Sequence, residues 1–368
     1  MRRLLAARRC GQRAWGRPST PGRVLLLTPS HGRGGGIERY AATLEWALAT
    51  RGIACQRIDL TEAGVRAHLA MMECALAMLR EIEEPTLLVV GHRALLPVAA
   101  LIAREPTVCG MSVLCHGSEV WDAHLRPRRS IERHLMRHPC VRVIAVSSYT
   151  AGTLAAECHA TVLPPALSQE WFATLVDVAT TATGTAPGIQ VVTVFRLASW
   201  REKGLPELIA ALAALSRPDV RLTVCGSGRP PADLLQLGAN HSWCTLRTGL
   251  TDRELAHQLA TADLFVLATR TRQGRHASGE GFGIVLVEAQ IAGTAVIAPA
   301  HGGSSDAYVE GVTGVAPADE TTEALTRLLG EILKDPVKMG WMGKRAAEWA
   351  RESFAPERYA QLVVRRLL

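Results

Sequence analysis

Two carboxylates, Glu280 and Glu288, stand eight positions apart in EGFGIVLVEAQIAGTAVIA, residues 280–298. Two glycines follow the first acid, and an apolar run that reads as a helix leads to the second. Loop glycines opening a helix leave backbone N–H groups bare at its positive end, a setting for phosphate or another anion. Helical side chains tilt toward the N-terminus, so Glu288 leans back over the same ligand. A carboxylate repels phosphate but accepts hydrogen bonds from hydroxyls. The stretch calls for a ligand that is anionic at one place and polyhydroxylated beside it. A nucleotide sugar meets both demands.

Cations suited to a diphosphate occur in VFRLASWREKGLPELIAAL. Arg196 ends a buried strand there, and Lys203 sits in the loop before a helix, so both are expected at the mouth of a cleft. His116 terminates the apolar strand MSVLCH and precedes Gly117. A histidine at the C-terminal end of a parallel strand is placed for a site. Cys115 beside it points the other way, which excludes a Cys/His nucleophile pair. Gly34, Gly35 and Gly36 follow the first strand, where three consecutive glycines let backbone approach a ligand closely. Asp59 lies near the end of the second strand, yet the dinucleotide frame G-x-G-x-x-G fails, because its third position falls on Arg39. No D-x-D, G-x-S-x-G or G-x-x-x-x-G-K-[ST] pattern occurs. Metal-bridged diphosphate, hydrolase-elbow and P-loop chemistry therefore lack their residues.

The elements that must carry these residues alternate between strand and helix from Val24 onward. Apolar strands are expected at 23–28, near 59, and at 87–91, 111–116, 141–147 and 161–165. A second series covers 191–196, 221–226, 243–248, 264–268 and 295–298. Helices are expected over 37–51, 206–216, 252–261, 284–292 and from 322 onward. This is the βαβ rhythm of open parallel sheets, whose ligands sit at the strand C-termini. At 368 residues the chain is long enough for two domains. The expected division is a basic flexible tail (1–22), an N-terminal domain (23–171), a linker (172–188), a C-terminal domain (189–351) and a C-terminal helix (352–368). The linker reading rests on ATLVDVATTATGTAPG, which is small and polar and carries one charge. The last helix is expected to pack back toward the N-terminal domain.

The net charge of +7 has a local origin: residues 1–23 hold seven arginines and no acid, so the remainder is neutral overall. A neutral body argues against nucleic acid as a partner. The basic start reads as a disordered tail, an anchor for anionic lipid or a targeting segment. RPRRSIER (126–133) is a second candidate for peripheral membrane contact. No apolar run reaches the roughly 18–20 residues of a membrane span. Nine cysteines without a C-x-x-C pair imply reduced thiols and a cytoplasmic protein.

Taken in order, GGGIE (34–38), HGSE (116–119), VSSYT (146–150), FRLASWREKG (195–204), VCGSG (224–228), TGLTDREL (248–255), ADLFVLAT (262–269), EGFGIVLVE (280–288) and GG-x-x-D (302–306) resemble the retaining GT-B glycosyltransferases of family GT4. The resemblance implies an α/β fold of two Rossmann-like, doubly wound domains facing a central cleft. It also implies an N-terminal domain for the acceptor, a C-terminal domain for the nucleotide sugar, and no metal or other cofactor. Arg196 and Lys203 would bind the donor diphosphate. Glu280 and the backbone of Gly281, Phe282, Gly283 and Ile284 would hold the transferred sugar and phosphate, with Gly226 also on the donor side. Glu288 would hold the ribose hydroxyls, Gly35 and Gly36 would close on the diphosphate, and His116 would contact the sugar near its anomeric carbon. The implied reaction moves a hexose, with a weak pull toward mannose, from a nucleotide-diphosphate sugar to a glycan or lipid-linked acceptor. The insertion TRTRQGRHAS (269–278) is similar to arginine-containing loops of phosphatidylinositol mannosyltransferase-like members, and contact at the inner face of a membrane follows from that likeness. A sugar phosphorylase, a nucleotide-sugar epimerase or a catalytically silent partner subunit on the same frame are the competing readings.

Overall fold

The computed structural model describes residues 21–30, 36–121, 127–182, 187–272 and 277–368. The basic tail up to residue 20, Gly34 and Gly35, and the tip of the insertion at 273–276 lie outside the described residues. Two compact units are formed, Met1–Ser168 with Pro356–Leu368, and Gln169–Ala355.

The first unit runs β1 (Arg23–Pro29), α1 (Gly36–Thr50), β2 (Ala54–Leu60), α2 (Val65–Arg80), β3 (Thr86–Val90), α3 (Leu96–Ile102), β4 (Val108–Cys115), α4 (Ser118–Trp121), α5 (Pro127–Met136), β5 (Val141–Ala145), α6 (Ser148–Leu154) and β6 (Ala160–Val162). Its six strands lie parallel in the order β2-β1-β3-β4-β5-β6. Every residue of β3 is buried, as a strand covered by helices on both faces requires. Alternate side chains separate to the two faces. Leu25, Leu27, Leu88 and Val90 pack with Leu79 of α2 and Ala99 of α3. Val24, Leu26, Val89 and Leu114 pack with Leu44 and Leu48 of α1.

The second unit opens with α7 (Gln169–Thr181) and continues through β7 (Ile189–Arg196), α8 (Leu205–Leu215), β8 (Val220–Ser227), α9 (Ala232–Ala239), β9 (Cys244–Thr248), α10 (Asp252–Ala260), β10 (Leu264–Val266), α11 (Ile284–Ile291), β11 (Ala295–Ile297), β12 (Gly314–Val315), α12 (Thr322–Ile332) and α13 (Pro336–Ser353). The strand order is β12-β11-β10-β7-β8-β9, again all parallel. One apolar cluster joins Val191, Leu222 and Val266 of the strands to Leu208 and Leu212 of α8 and Leu329 of α12. The final helix, α14 (Pro356–Leu367), belongs to the first unit, where Tyr359 and Val363 join the layer under α1.

One expectation is corrected. Most of the segment read as a linker, 172–188, is helical: α7 reaches Thr181, buries Leu175 and Val178, and packs on α10 and α11. Its small alanines and threonines gave a weak apolar signal, and contacts from distant helices supply the burial that the local pattern lacks.

Chain order places each sheet's switch point. In the first unit the chain leaves β1 for β2 on one side and returns to β3 on the other. In the second, β7 has β8 on one side and β10 on the other. In open α/β sheets the loops after such strands run in opposite directions, and the carboxyl edge at this point is where ligands bind.

Candidate functional site

The switch point of the second unit gathers the expected donor-site residues. Arg196 ends β7 and is exposed, with no ion-pair or hydrogen-bond partner among the described residues. The chain then turns through Leu197–Ser199 to Gly204, which has φ of 70° in the left-handed region. A Cβ built on Gly204 would stand 1.9 Å from the Ala268 carbonyl oxygen. Only glycine lets this loop seat directly on the end of β10. That seating carries Lys203 to 2.9 Å from Oε2 of Glu280. Thr269, just past β10, donates to the same oxygen at 3.2 Å. Gly204 was not singled out from the sequence, although the run K-G-L-P does announce a left-handed stop before a helix start.

Glu280 is also gripped by its backbone. Its carbonyl accepts from Gly303 N–H at 2.7 Å. Gly302, with φ of 110°, packs so closely that a Cβ would lie 2.8 Å from the same oxygen. The glycine pair of GG-x-x-D thus clamps the acid that lies more than twenty positions earlier. Beyond it, Gly283 caps α11 in the left-handed conformation (φ 82°) with no side-chain hydrogen bond to the first turn. The positive end of α11, at Ile284, starts against Glu280, whose Cγ would lie 3.4 Å from a Cβ on Gly283, and its leading N–H groups are uncapped by any side chain.

Other expected residues take different places. Phe282 is buried, its ring set against Phe354 at 6.0 Å, so only the backbone of Gly281, Phe282 and Gly283 can serve a ligand. Gly226 is demanded by packing: a Cβ there would meet Leu197 Cδ2 at 2.4 Å and the Phe195 carbonyl oxygen at 2.5 Å. Glu288, on α11, is 4% exposed and accepts a hydrogen bond from Trp171 Nε1 at 3.0 Å. Trp171 belongs to α7, which explains why sequence reading missed it as a partner.

In the first unit, His116 directly follows β4, half-buried. Its Nε2 lies 2.8 Å from the Gly91 carbonyl oxygen, and its backbone N–H donates to the Glu119 carboxylate. His92 stacks on it, with ring centroids 6.2 Å apart, and Tyr40 of α1 meets it edge-on at 5.6 Å. Gly91 is held close against β1, since a Cβ would reach Leu27 O and Thr28 Cβ at 2.9 Å. Gly36, the first residue of α1, is exposed, and a Cβ would meet nothing within 4 Å. Packing gives no reason for glycine there. Gly35 lies outside the described residues. Cys115 is fully buried, and burial pushes its thiol well above the ordinary range, which makes it a poor nucleophile.

Past β3, the buried Arg93 guanidinium joins Glu132 of α5 at 3.0 Å and Glu157 at 3.3 Å. VSSYT and TGLTDREL prove to be helix caps: Ser147 accepts from Thr150 N–H, and Thr251 with Glu254 forms a capping box.

The glycosyl transferases group 1 family matches residues 188–349. A GDP-mannose-dependent alpha-(1-6)-phosphatidylinositol monomannoside mannosyltransferase of Mycolicibacterium smegmatis is 30% identical over 292 residues, covering 75% of each chain. A GDP-mannose-dependent monoacylated alpha-(1-6)-phosphatidylinositol monomannoside mannosyltransferase of Corynebacterium glutamicum is 36% identical over 156 residues, 41% of this chain and 39% of that one. Among solved structures, Anabaena HepE in complex with UDP aligns with a TM-score of 0.73 at 17% identity, over 94% of this chain and 99% of that one. The two parallel sheets are thus those of the GT-B fold. With the extent of the mycolicibacterial match, the chain belongs to the group 1 (GT4) family and is a glycosyltransferase.

Proposed function

We propose that the enzyme transfers a hexose, with mannose as the first candidate, from a nucleotide-diphosphate sugar to a glycan or lipid-linked acceptor, with retention and without a metal. The observation that carries this reading is the Lys203–Glu280–Thr269 cluster beside the uncapped start of α11. It sets a cation, a sugar-binding carboxylate and free backbone N–H groups next to one another. Both bonds to Glu280 go to Oε2, which leaves Oε1 for sugar hydroxyls. An ammonium carries three donors, so Lys203 can keep Glu280 in place while it meets a phosphate. Arg196 supplies a second cation at the strand end. Glu288 takes the ribose hydroxyls, and Gly35 and Gly36 approach the diphosphate.

Charge grows on the departing diphosphate as the glycosidic bond breaks. Arg196, Lys203 and the α11 N–H groups are stationed to stabilise it without rearrangement. The leaving diphosphate then accepts the acceptor hydroxyl proton on the same face, so no protein nucleophile is required. His116 contacts the sugar near its anomeric carbon. The mannose and guanosine assignments are supported by the names of the mycolicibacterial and corynebacterial relatives. Contact with the inner face of a membrane belongs to the same reading, through α5, where Ile131 is exposed close to Arg133 and Arg137. None of the helices among the described residues is long and apolar enough to cross a membrane.

Thermal shift with GDP, UDP, ADP and their sugars tests the donor. A ligand at about 100 times its Kd adds about 2.7 kcal/mol to folding stability. Stabilisation by one nucleotide and its sugar is the expected result, and a flat response to all of them rejects the reading.

A further inference from the structure

His116 is half-buried, so something must hold its ring in one plane. One side is fixed by the backbone: a neutral imidazole whose Nε2–H donates to the Gly91 carbonyl at 2.8 Å keeps Nδ1 as its acceptor. His92 stacks on the ring with centroids 6.2 Å apart, and a further constraint comes from α1. Tyr40 presents its ring perpendicular to the imidazole, with centroids 5.6 Å apart and an interplanar angle of 90°. An edge-to-face contact of this kind is directional, because the positive ring edge seeks the negative face.

Tyr40 is itself immobilised. The residue is 3% exposed, and its hydroxyl donates to the Leu163 carbonyl just past β6 at 3.1 Å. Tyr359 of α14, 4% exposed, lies in the same apolar layer with its hydroxyl beside that of Tyr40. Two buried phenols from helices more than three hundred residues apart thus stand behind one imidazole. Four positions before Tyr40, α1 begins at Gly36.

We infer that Tyr40 is a positioning residue for His116: its ring, locked by Leu163 and backed by Tyr359, holds the imidazole in the plane in which Nε2–H reaches the Gly91 carbonyl, and so keeps Nδ1 as acceptor. It also ties α1, which begins at Gly36, to the orientation of that histidine. The functional consequence rests on His116 being part of the site. The placement of the imidazole does not, and is measured separately.

The test uses the full chain labelled with 15N-histidine, as wild type, Tyr40→Phe, Tyr40→Leu and His116→Gln. Loss of resonances in His116→Gln assigns the His116 ring. Long-range 15N–1H correlation should show Nε2–H and bare Nδ1 in the wild type and in Tyr40→Phe, which keeps the ring edge. Tyr40→Leu should mix the tautomers while GDP titration midpoints remain within about 2-fold. Turnover with GDP-mannose as probe should fall about 10-fold or more in kcat for Tyr40→Leu and less than about 3-fold for Tyr40→Phe, because misplacement of a contacting group costs rate more than binding. An unchanged tautomer in Tyr40→Leu, or equal damage from both variants, overturns the inference. Should His116→Gln turn over like the wild type while Tyr40→Leu still mixes the tautomers, the positioning stands and the assignment of His116 to the site falls.

Discussion

Under the proposed function Arg196 is the residue on which the chemistry depends most, a permanent cation at a strand terminus whose side chain has no ion-pair or hydrogen-bond partner among the described residues. Arg196→Ala should lower kcat by roughly 10²-fold or more, since it removes stabilisation of charge that grows in the transition state. Steady-state donor turnover checks this, and near-normal kcat would remove Arg196 from the reaction. Gly204 makes a different kind of contribution. Gly204→Ala forces a side chain into a left-handed φ and onto the Ala268 carbonyl, so a loss of about 2–3 kcal/mol is expected in urea unfolding. It should also detach Lys203 from Glu280. The cysteines give an independent residue-scale check. Burial raises Cys115 well above the ordinary thiol range and Cys225 to about 12, so both stay protonated at neutral pH. Raised values mean less thiolate, hence slower alkylation. Peptide mapping after brief maleimide treatment should find the exposed Cys74 modified and these two spared.

Among the elements, α5 is held by charge more than by a broad apolar face. Arg93 is 2% exposed and Glu132 5%, so their ion pair is a buried one, with Glu157 as a second acid on the same guanidinium. Arg93→Met removes the buried cation that Glu132 and Glu157 share and should destabilise the first unit by about 3–5 kcal/mol, read by denaturant unfolding. A change below about 1 kcal/mol would mean that Glu132 finds water there. The capped and uncapped helices form a second contrast. Thr251, Thr321 and Ser147 cap α10, α12 and α6 with side-chain oxygens, whereas Gly283 gives α11 none. Gly64, Leu95, Gly204 and Pro231 likewise leave α2, α3, α8 and α9 without a side-chain cap, but the α11 start is the one set against Glu280, whose Cγ would lie 3.4 Å from a Cβ on Gly283, a place where an anionic ligand can complete it.

At the scale of the whole molecule, both units repeat one solution, a six-stranded parallel sheet with candidate residues at strand C-termini: Arg196 at the switch-point strand β7 of the second unit, and His116 after β4 of the first. Trp171→Phe probes how the second unit assembles its site across helices. It removes the hydrogen bond to Glu288 and keeps a six-membered ring in place, so GDP affinity should weaken by about 3–10-fold, on the scale of one ordinary net hydrogen bond, with a fall in Tm from the buried carboxylate that loses its donor. Isothermal titration with GDP measures this, and an unaltered Kd would show that Glu288 needs no such support.

The amino-acid sequence by itself determined eleven of the strands and the helices α1, α8, α10 and α11, though not α2, α3, α5, α6 or α9, because apolar runs covered on both faces and strong period-3.6 patterns are local properties. It also determined where to look, since Arg196, Lys203, Glu280 and His116 all follow or end strands. Local pattern failed where burial comes from far away. α7 hid in a run of small residues, and the two-residue β12 has no pattern to read. Tertiary structure alone decided the pairings. Lys203 meets Glu280 across 77 positions, Trp171 meets Glu288 across 117, and Gly226 is a packing glycine because Leu197 leans on it. A residue's type records what chemistry it can do; its partner is set by which strand ends the sheet order brings together, and that order is a property of the folded chain as a whole.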